Sequence, residues 1–319
     1  MKRKDNRQRQ GPKEKYRITN WSSYNAGLIA RGDVTVWLEA GLEQRPQTGS
    51  GKRGRPCVYA DATIQLLLGL KQVFRLSLRA LQGFASSLAK LGVSGLRVPN
   101  YTTLCRRARQ LQVTLPVLRS GQALHLVVDS TGLKVFGEGE WKVRKHGSSK
   151  RRTWRKVHLA MDVHTGQVCA ALMTHQGVGD AEVLPALLDQ LPAGVRIDVV
   201  GGDGAYDTKA CHAAIAACGA QPAIPPREGA ALWPLRRPGA AWRNEAITAI
   251  ANGSRRKWKA ASGYHRRSLA ETLMYRLKVL SGRELAARTI DVQATEVAVR
   301  VGVLNRMTAL ARPQSVRIV

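Results

Sequence analysis

Near the C-terminal end, four side chains share a spacing that could do chemistry: Tyr264, Arg267, Glu271 and Lys278. The stretch from Tyr264 to Lys278 has no Pro or Gly and is rich in Leu, Ala, Arg and Met, which predicts one helix. At about 100° per residue the four fall within an arc of roughly 60°, and Leu269, Leu273, Leu277 and Leu280 cluster on the opposite side. The leucine face is expected to look inward. The other face offers a lone carboxylate among cations, which suits a place where a hard metal ion meets phosphate. A solvated helix face with ordinary ion pairs has the same pattern, so this helix alone does not separate the two.

Two aspartates far upstream do. Leu124 to Val128 is a short apolar run that ends at Asp129, followed by Ser130-Thr131-Gly132. It reads as a buried strand with an acid at its end. Arg196 to Val200 is a second such strand, and it runs through Gly201-Gly202 into Asp203-Gly204-Ala205-Tyr206-Asp207. In a mixed sheet, adjacent strand ends can bring Asp129 and Asp203 together. An Asp after a strand also serves as a turn or cap residue, and rival acids exist at Asp162, Asp198, Asp207, Glu284 and Glu296. Only Asp207 shares the Gly-rich setting, and it is expected on the helix that follows.

The intervening elements set the fold. Trp154 to Asp162 and Gln167 to Thr174 alternate like two strands joined at His164-Thr165-Gly166. Asp180 to Leu191 reads as a helix, residues 208 to 218 as another, and Gln221 to Ile224 as a last short strand. The order β-β-β-α-β-α-β predicts an α/β, ribonuclease-H-like mixed sheet with flanking helices. Lys142 to Lys156 carries eight cations and no acid, a loop or hairpin suited to lie along phosphates. Residues 226 to 262 read as an irregular insertion with Trp233, Trp242, Trp258 and the run Arg255-Arg256-Lys257-Trp258-Lys259. Its aromatics could stack bases or pack the insertion onto the sheet. Residues 284 to 311 read as a long helix, though alternating valines at 297, 299, 301 and 303 leave a strand open.

The chain has 319 residues, and its 51 Lys and Arg against 22 acids give a formal charge of +29. A polyanion is the natural partner, nucleic acid first and a membrane surface second. No apolar run is long enough to span a bilayer, and no secretory pattern follows the basic start. Five cysteines, an odd number with no C-x-x-C, suit a reducing compartment and argue against a structural zinc. Residues 1 to 60 read as a basic arm with at most short helical pieces. Within it, Arg53-Gly54-Arg55-Pro56 suits a minor-groove hook, with Arg53 and Arg55 entering the groove, or a flexible linker. Residues 61 to 120 read as three short helices: one capped by Asp61, one capped by Ser77 and stopped at Gly92, and one from Tyr101 to Gln112 opened by Pro99-Asn100. The last offers Thr102, Thr103, Arg106 and Arg107, as a helix-turn-helix would to a major groove or a helical scaffold would to solvent.

With these residues in view, the chain resembles bacterial insertion-sequence transposases with an Asp-Asp-Glu triad, in the subgroup marked by Y-x2-R-x3-E-x6-K. Tyr264, Arg267, Glu271 and Lys278 keep every spacing of that signature. The block from Asp129 to Trp141 is similar to the family's first-Asp block, and Asp203 to Thr208 to its second. The likeness is closest to the kanamycin-transposon branch of insertion sequence family five. It implies a ribonuclease-H-like catalytic region over residues 121 to 319, preceded by a DNA-binding region. It implies Asp129, Asp203 and Glu271 as catalytic metal ligands for two Mg²⁺ ions, with Mn²⁺ able to substitute. Tyr264, Arg267 and Lys278 would orient phosphates. The implied partners are double-stranded DNA, as terminal inverted repeats and target, and further copies of the chain in a homodimer or higher oligomer on DNA. The implied setting is the bacterial cytoplasm, at the nucleoid, with no membrane. Two other readings share parts of this pattern: a hydrolytic nuclease of the same fold, and a transposase-derived repressor without catalysis.

Overall fold

The computed structural model describes residues 15–39, 58–93, 96–113, 115, 122–135 and 153–318. The described residues begin with β1 (Lys15–Ile18), α1 (Trp21–Ala30) and α2 (Val34–Glu39), so the region read as an arm holds a strand and a full helix of ten residues beyond the short pieces expected. Three helices follow: α3 (Asp61–Val73), α4 (Leu78–Lys90) and α5 (Tyr101–Arg107). Ser77 caps α4 by accepting from the Ala80 N–H at 3.2 Å, and Asn100 caps α5 by accepting from the Thr102 N–H at 3.0 Å. Asp61 is not a cap. Ala60 holds that position, and the Asp61 carboxylate pairs with Arg107 instead. α5 is shorter than predicted because its end tightens into i→i+3 bonds, from Arg109 to Arg106 and from Gln110 to Arg107.

The sheet is built from β2 (Leu124–Val135), β3 (Trp154–Asp162) and β4 (Val168–His175), then α6 (Asp180–Leu188), β5 (Ile197–Gly201), α7 (Lys209–Ala217) and β6 (Gln221–Ala223). Next come α8 (Ala240–Asn252), α9 (Arg255–Ala261), α10 (Ser268–Ser281), β7 (Glu284–Leu285), α11 (Ile290–Leu310) and β8 (Ser315–Ile318). The strands lie in the order β4-β3-β2-β5-β6, with β7 added to the far end of β2. β2 is antiparallel to β3 and parallel to β5, and β1 pairs with β8 in a separate ribbon. This is the mixed α/β sheet of a ribonuclease-H-like fold.

Alternation along β2 divides the core. Leu124, Leu126 and Val128 pack on one face with α6 and α7, whereas Val127 and Leu133 pack on the other with α10 and α11. α11 is buried on two sides: Val297, Val301 and Leu304 meet the sheet, while Val299, Val303 and Met307 share a core with Trp37 and α3 to α5. The alternating valines therefore belong to a helix that is apolar nearly all round, as a sandwiched helix must be.

Three expectations change. β2 does not end at Asp129 but continues through Ser130-Thr131-Gly132, because its second half pairs with both β3 and the distant β7. The insertion is not irregular, since α8 and α9 fill much of it. The Tyr264–Lys278 stretch is not one helix either: Gly263, at φ +67°, turns the chain, Tyr264–Arg267 forms a 3₁₀ turn, and the α-helix begins at Ser268. The buried face of α10 is accordingly Ala270, Leu273, Met274 and Leu277, and Leu269 is 38 % exposed.

Leu273→Ala should thus lower folding stability by about 2–5 kcal/mol in urea titration, and Leu269→Ala by less than about 0.5 kcal/mol. Equal losses at both positions would mean that α10 is rotated from the orientation described.

Candidate active site

Asp129 sits in the middle of the central strand, opposite Leu159 of β3. Its Oδ1 accepts from the Ser130 N–H at 2.8 Å, and its side chain is 20 % exposed. On the neighbouring strand, β5 pairs through Val127↔Gly201, and the chain then passes Gly202 to reach Asp203. Asp203 caps a 3₁₀ turn (Gly204–Tyr206), its Oδ1 accepting from the Ala205 N–H at 2.8 Å. The parallel register therefore sets the two aspartates side by side at the edge of the apolar core.

The third acid arrives on α10. Glu271 lies in the first turn of that helix, 60 % exposed, and one guanidinium ties it to the first aspartate. Arg267 Nη2 donates to Glu271 Oε1 at 2.7 Å, and Nη1 donates to Asp129 Oδ2 at 3.4 Å. Arg267 is itself held against the Tyr264 ring, 6.0 Å from its centroid, while Lys259 Nζ lies 4.9 Å from the same ring. Tyr264 also packs on Trp258, which is buried. Lys259 is a member of the site that the sequence reading did not single out. The basic run around Trp258 was its signal.

The electrostatics match this geometry. Burial pushes the Asp129 carboxyl up, and the neighbouring Asp203 and Glu271 push it further, against the Ser130 N–H and the Arg267 charge. Arg267 carries the compensating charge between Asp129 and Glu271. Among the described residues, no three Asp, Glu, His or Cys side chains close into a cage around a metal. Lys278 lies about two turns beyond Glu271, and it makes no hydrogen bond or ion pair to the acids. Burial and then Arg283 push its ammonium down.

The rival acids have structural partners. Asp207 is not on a helix: it follows the 3₁₀ turn, is buried, and accepts from Arg243 Nε at 2.7 Å and from the Arg227 N–H at 2.9 Å. His212 Nε2 is 3.0 Å from it. Burial opposes its charge, yet His212, Arg243 and the Arg227 N–H hold it well below the usual carboxylate range. Asp162 accepts from the Thr165 N–H and hydroxyl, both at 2.8 Å. Glu296 pairs with Arg300 at 2.6 Å and accepts from the Ala287 N–H. Asp198 is exposed beside Arg196, and Glu284, the exception, lies half-buried on the short strand β7 paired to the far end of β2.

The residues expected to face DNA divide. Thr102 and Arg106 are exposed on α5, with Thr103 accepting from Arg106 Nη2 at 3.5 Å. Arg107 turns inward, donating to the Tyr59 carbonyl at 3.1 Å and pairing with Asp61, so it staples α5 to the start of α3. Arg53 and Arg55 lie outside the described residues.

Two family models, each described as a transposase DDE domain, match the sequence over residues 29–138 and 120–306. The second spans more than half the chain and contains Asp129, Asp203 and Glu271. Among solved structures, the chain is similar to a piggyBac transposase in a synaptic complex with hairpin DNA, at 12% identity and a TM-score of 0.37, covering 90% of this chain and 73% of that one. A likeness that low carries no argument about the site.

Because the folded Asp129 carboxyl is pushed up, its ionised form costs stability, and the cost grows as pH rises through its folded pKa. Asp129→Asn should therefore raise the melting temperature at pH 7 by about 2 °C, a gain that shrinks toward pH 4. A lowered melting temperature at pH 7 would mean that the Arg267 pair outweighs the repulsion.

Proposed function

The chain belongs to the transposase DDE-domain family, and we propose that it binds the terminal inverted repeats of its own insertion sequence, cuts the DNA there and joins the ends to a target. We place it in the kanamycin-transposon branch of insertion sequence family five, on the intact Tyr264, Arg267, Glu271 and Lys278 spacing. The observation that carries the reading is that the Arg267 guanidinium bridges two acids from separate elements, Asp129 and Glu271, with a third, Asp203, close enough to act on Asp129.

The donor set is made of carboxylate oxygens alone, the ligands that hard divalent cations prefer. The raised Asp129 carboxyl and the cation set between Asp129 and Glu271 support a demand for positive charge at this place. Asp129, Asp203 and Glu271 would hold the ions, normally Mg²⁺ with Mn²⁺ as substitute. When bound, two such ions activate the attacking oxygen and stabilise the leaving one.

The remaining work falls to the chain's own side chains. Arg267 makes a long contact to Asp129 and a short one to Glu271. It can release the first and turn toward a phosphate oxygen without leaving the second. Tyr264, with Lys259 and Arg267 both near its ring, keeps two cations aimed at the same groove. Lys278 extends the cationic line along the helix. Thr102, Thr103 and Arg106 offer the exposed polar edge that would read the repeat, while the basic excess binds backbone of double-stranded DNA. The protein works in the bacterial cytoplasm at the nucleoid, as a dimer or higher oligomer assembled on the ends. Among the described residues, no helix is long and apolar enough to cross a membrane.

The decisive assay is single-turnover cleavage of a labelled terminal-repeat duplex with Mg²⁺. Asp129→Ala and Asp203→Ala should abolish cutting yet bind the duplex as wild type does. Glu271→Asp, which pulls the carboxylate back by roughly 1.5 Å, should cut far more slowly and regain part of the rate with Mn²⁺. Either aspartate variant cutting at the normal rate removes that residue from the site, and a wild type that binds repeats but never cuts makes the protein a repressor.

Binding of the full chain to the duplex should weaken as salt rises, with a slope of about −0.9 in log K against log salt per phosphate neutralised. Affinity that ignores salt would contradict a phosphate-led interface.

A further inference from the structure

A cleft that the cleavage chemistry does not use opens on the side of α11 that faces the N-terminal helices. Its apolar walls are Leu68 of α3, Leu76 and Leu78 at the turn into α4, Ala108 after α5, and Val292 and Val299 of α11. The space measures about 510 Å³, inside the range of about 300–1,000 Å³ that sites for small organic ligands occupy. It is a seam, walled by α3 to α5 on one side and by the start of α11 on the other.

Three polar side chains interrupt these walls. Lys71, on α3, is half-buried. Among the described residues no carboxylate comes within ion-pair distance of it. Glu296, which also lines the cleft, is spent on Arg300 at 2.6 Å and on the Ala286 and Ala287 N–H groups. Burial pushes the Lys71 ammonium down; Glu296 opposes this from a distance, and Arg300 adds to it. Gln72 and Thr295 are only 8 % and 7 % exposed, and what remains accessible of them opens on the cleft. Among the described residues, neither the Gln72 amide nor the Thr295 hydroxyl has a hydrogen-bond partner. Arg109 and Arg288 line the cleft as well, both exposed, and Glu296 is its only acid among the described residues.

Polar groups buried without partners cost the fold free energy, and a Leu or Met at each place would avoid that cost. Apolar walls with a lone ammonium, an amide and a hydroxyl complement a molecule that has an apolar body and one anionic, hydrogen-bonding end. Nucleic acid has the charge but not the body. We propose that this cleft is a binding site for a small apolar carboxylate, its body held by the leucine and valine walls and its anionic end recognised by Lys71, Gln72 and Thr295.

The test is calorimetric titration of the full chain with octanoate, beside octanol and octylammonium as probes of the same body and different charge. One octanoate should bind per chain and raise the melting temperature, with octanol and octylammonium weaker by about tenfold or more. Lys71→Met keeps the apolar stem and should erase the preference for octanoate over octanol. Val292→Trp fills the cleft from α11 and should abolish octanoate binding, with the fold checked by circular dichroism. If one variant fails to fold the other decides, and the preference of the wild type among the three probes tests the proposal without either. No octanoate binding, several equivalent sites spread over a chain of charge +29, octanol bound as tightly as octanoate, or affinity unmoved in the folded variants would each overturn it. So would a dimer in sedimentation that Val292→Trp dissociates, since a second copy of the chain would then be what covers the cleft.

Discussion

Three carboxylates cannot be brought together in a protein without something to offset their repulsion, and that constraint organises the molecule. Asp129 already shows the strain, its carboxyl pushed up by burial and by its two acidic neighbours. The offset is Arg267, delivered by a 3₁₀ turn rather than by the helix proper. A 3₁₀ turn advances about 2.0 Å per residue against 1.5 Å in an α-helix. It can therefore set Tyr264 and Arg267 ahead of the helix axis while Glu271 stays in the first turn of α10. The site is thus held together by a cation of the chain's own.

The sheet supplies rigidity to one side of this arrangement and α11 transmits it to the other. α11 lies between the sheet core and the core of the N-terminal helices, giving valines to both. Displacing α5 would therefore disturb the packing on one side of α11, and α10 packs on the other side. Close packing transmits such displacements, because interiors behave like crystals of organic molecules rather than like oil. The exposed face of α5 and the acids are therefore joined by one packed body, not by a hinge between independent pieces.

The legible parts of the fold were those with local signals. Strand β3 is Trp154–Asp162 to the residue, because alternation and the following Gly166 turn, at φ +70°, are written in adjacent positions. The caps at Ser77 and Asn100 were legible for the same reason. What misled were non-local partners. The Ser-Thr-Gly after Asp129 looks like a turn, and only its pairing with His158, Val157 and Lys156 of β3 makes it strand. Asp61 looks like a cap until Arg107 is found beside it. In the site, the spacing of Tyr264, Arg267 and Glu271 was readable, but not the guanidinium bridge, since whether Arg267 reaches Asp129 depends on how α10 crosses β2.

The insertion shows the same limit and what resolves it. Pro234, Pro238 and three tryptophans suggested irregular chain, yet α8 and α9 are regular helices anchored at one buried point. Arg243 reaches from α8 to Asp207, and Trp233 lies 3.9 Å over its guanidinium with His212 packed edge-on to the same ring. Gly239, at φ +76°, lets the chain pass His212, whose carbonyl would stand 2.5 Å from any Cβ. Asp207 follows the turn that Asp203 caps, so the insertion is fastened four residues from a proposed metal ligand. Removing one partner of a buried pair is costly because the other charge is left uncompensated. The chain therefore spends its second acid in the Gly-rich motif on architecture, and by doing so holds α9, with Trp258 and Lys259, against Tyr264 at the mouth of the site.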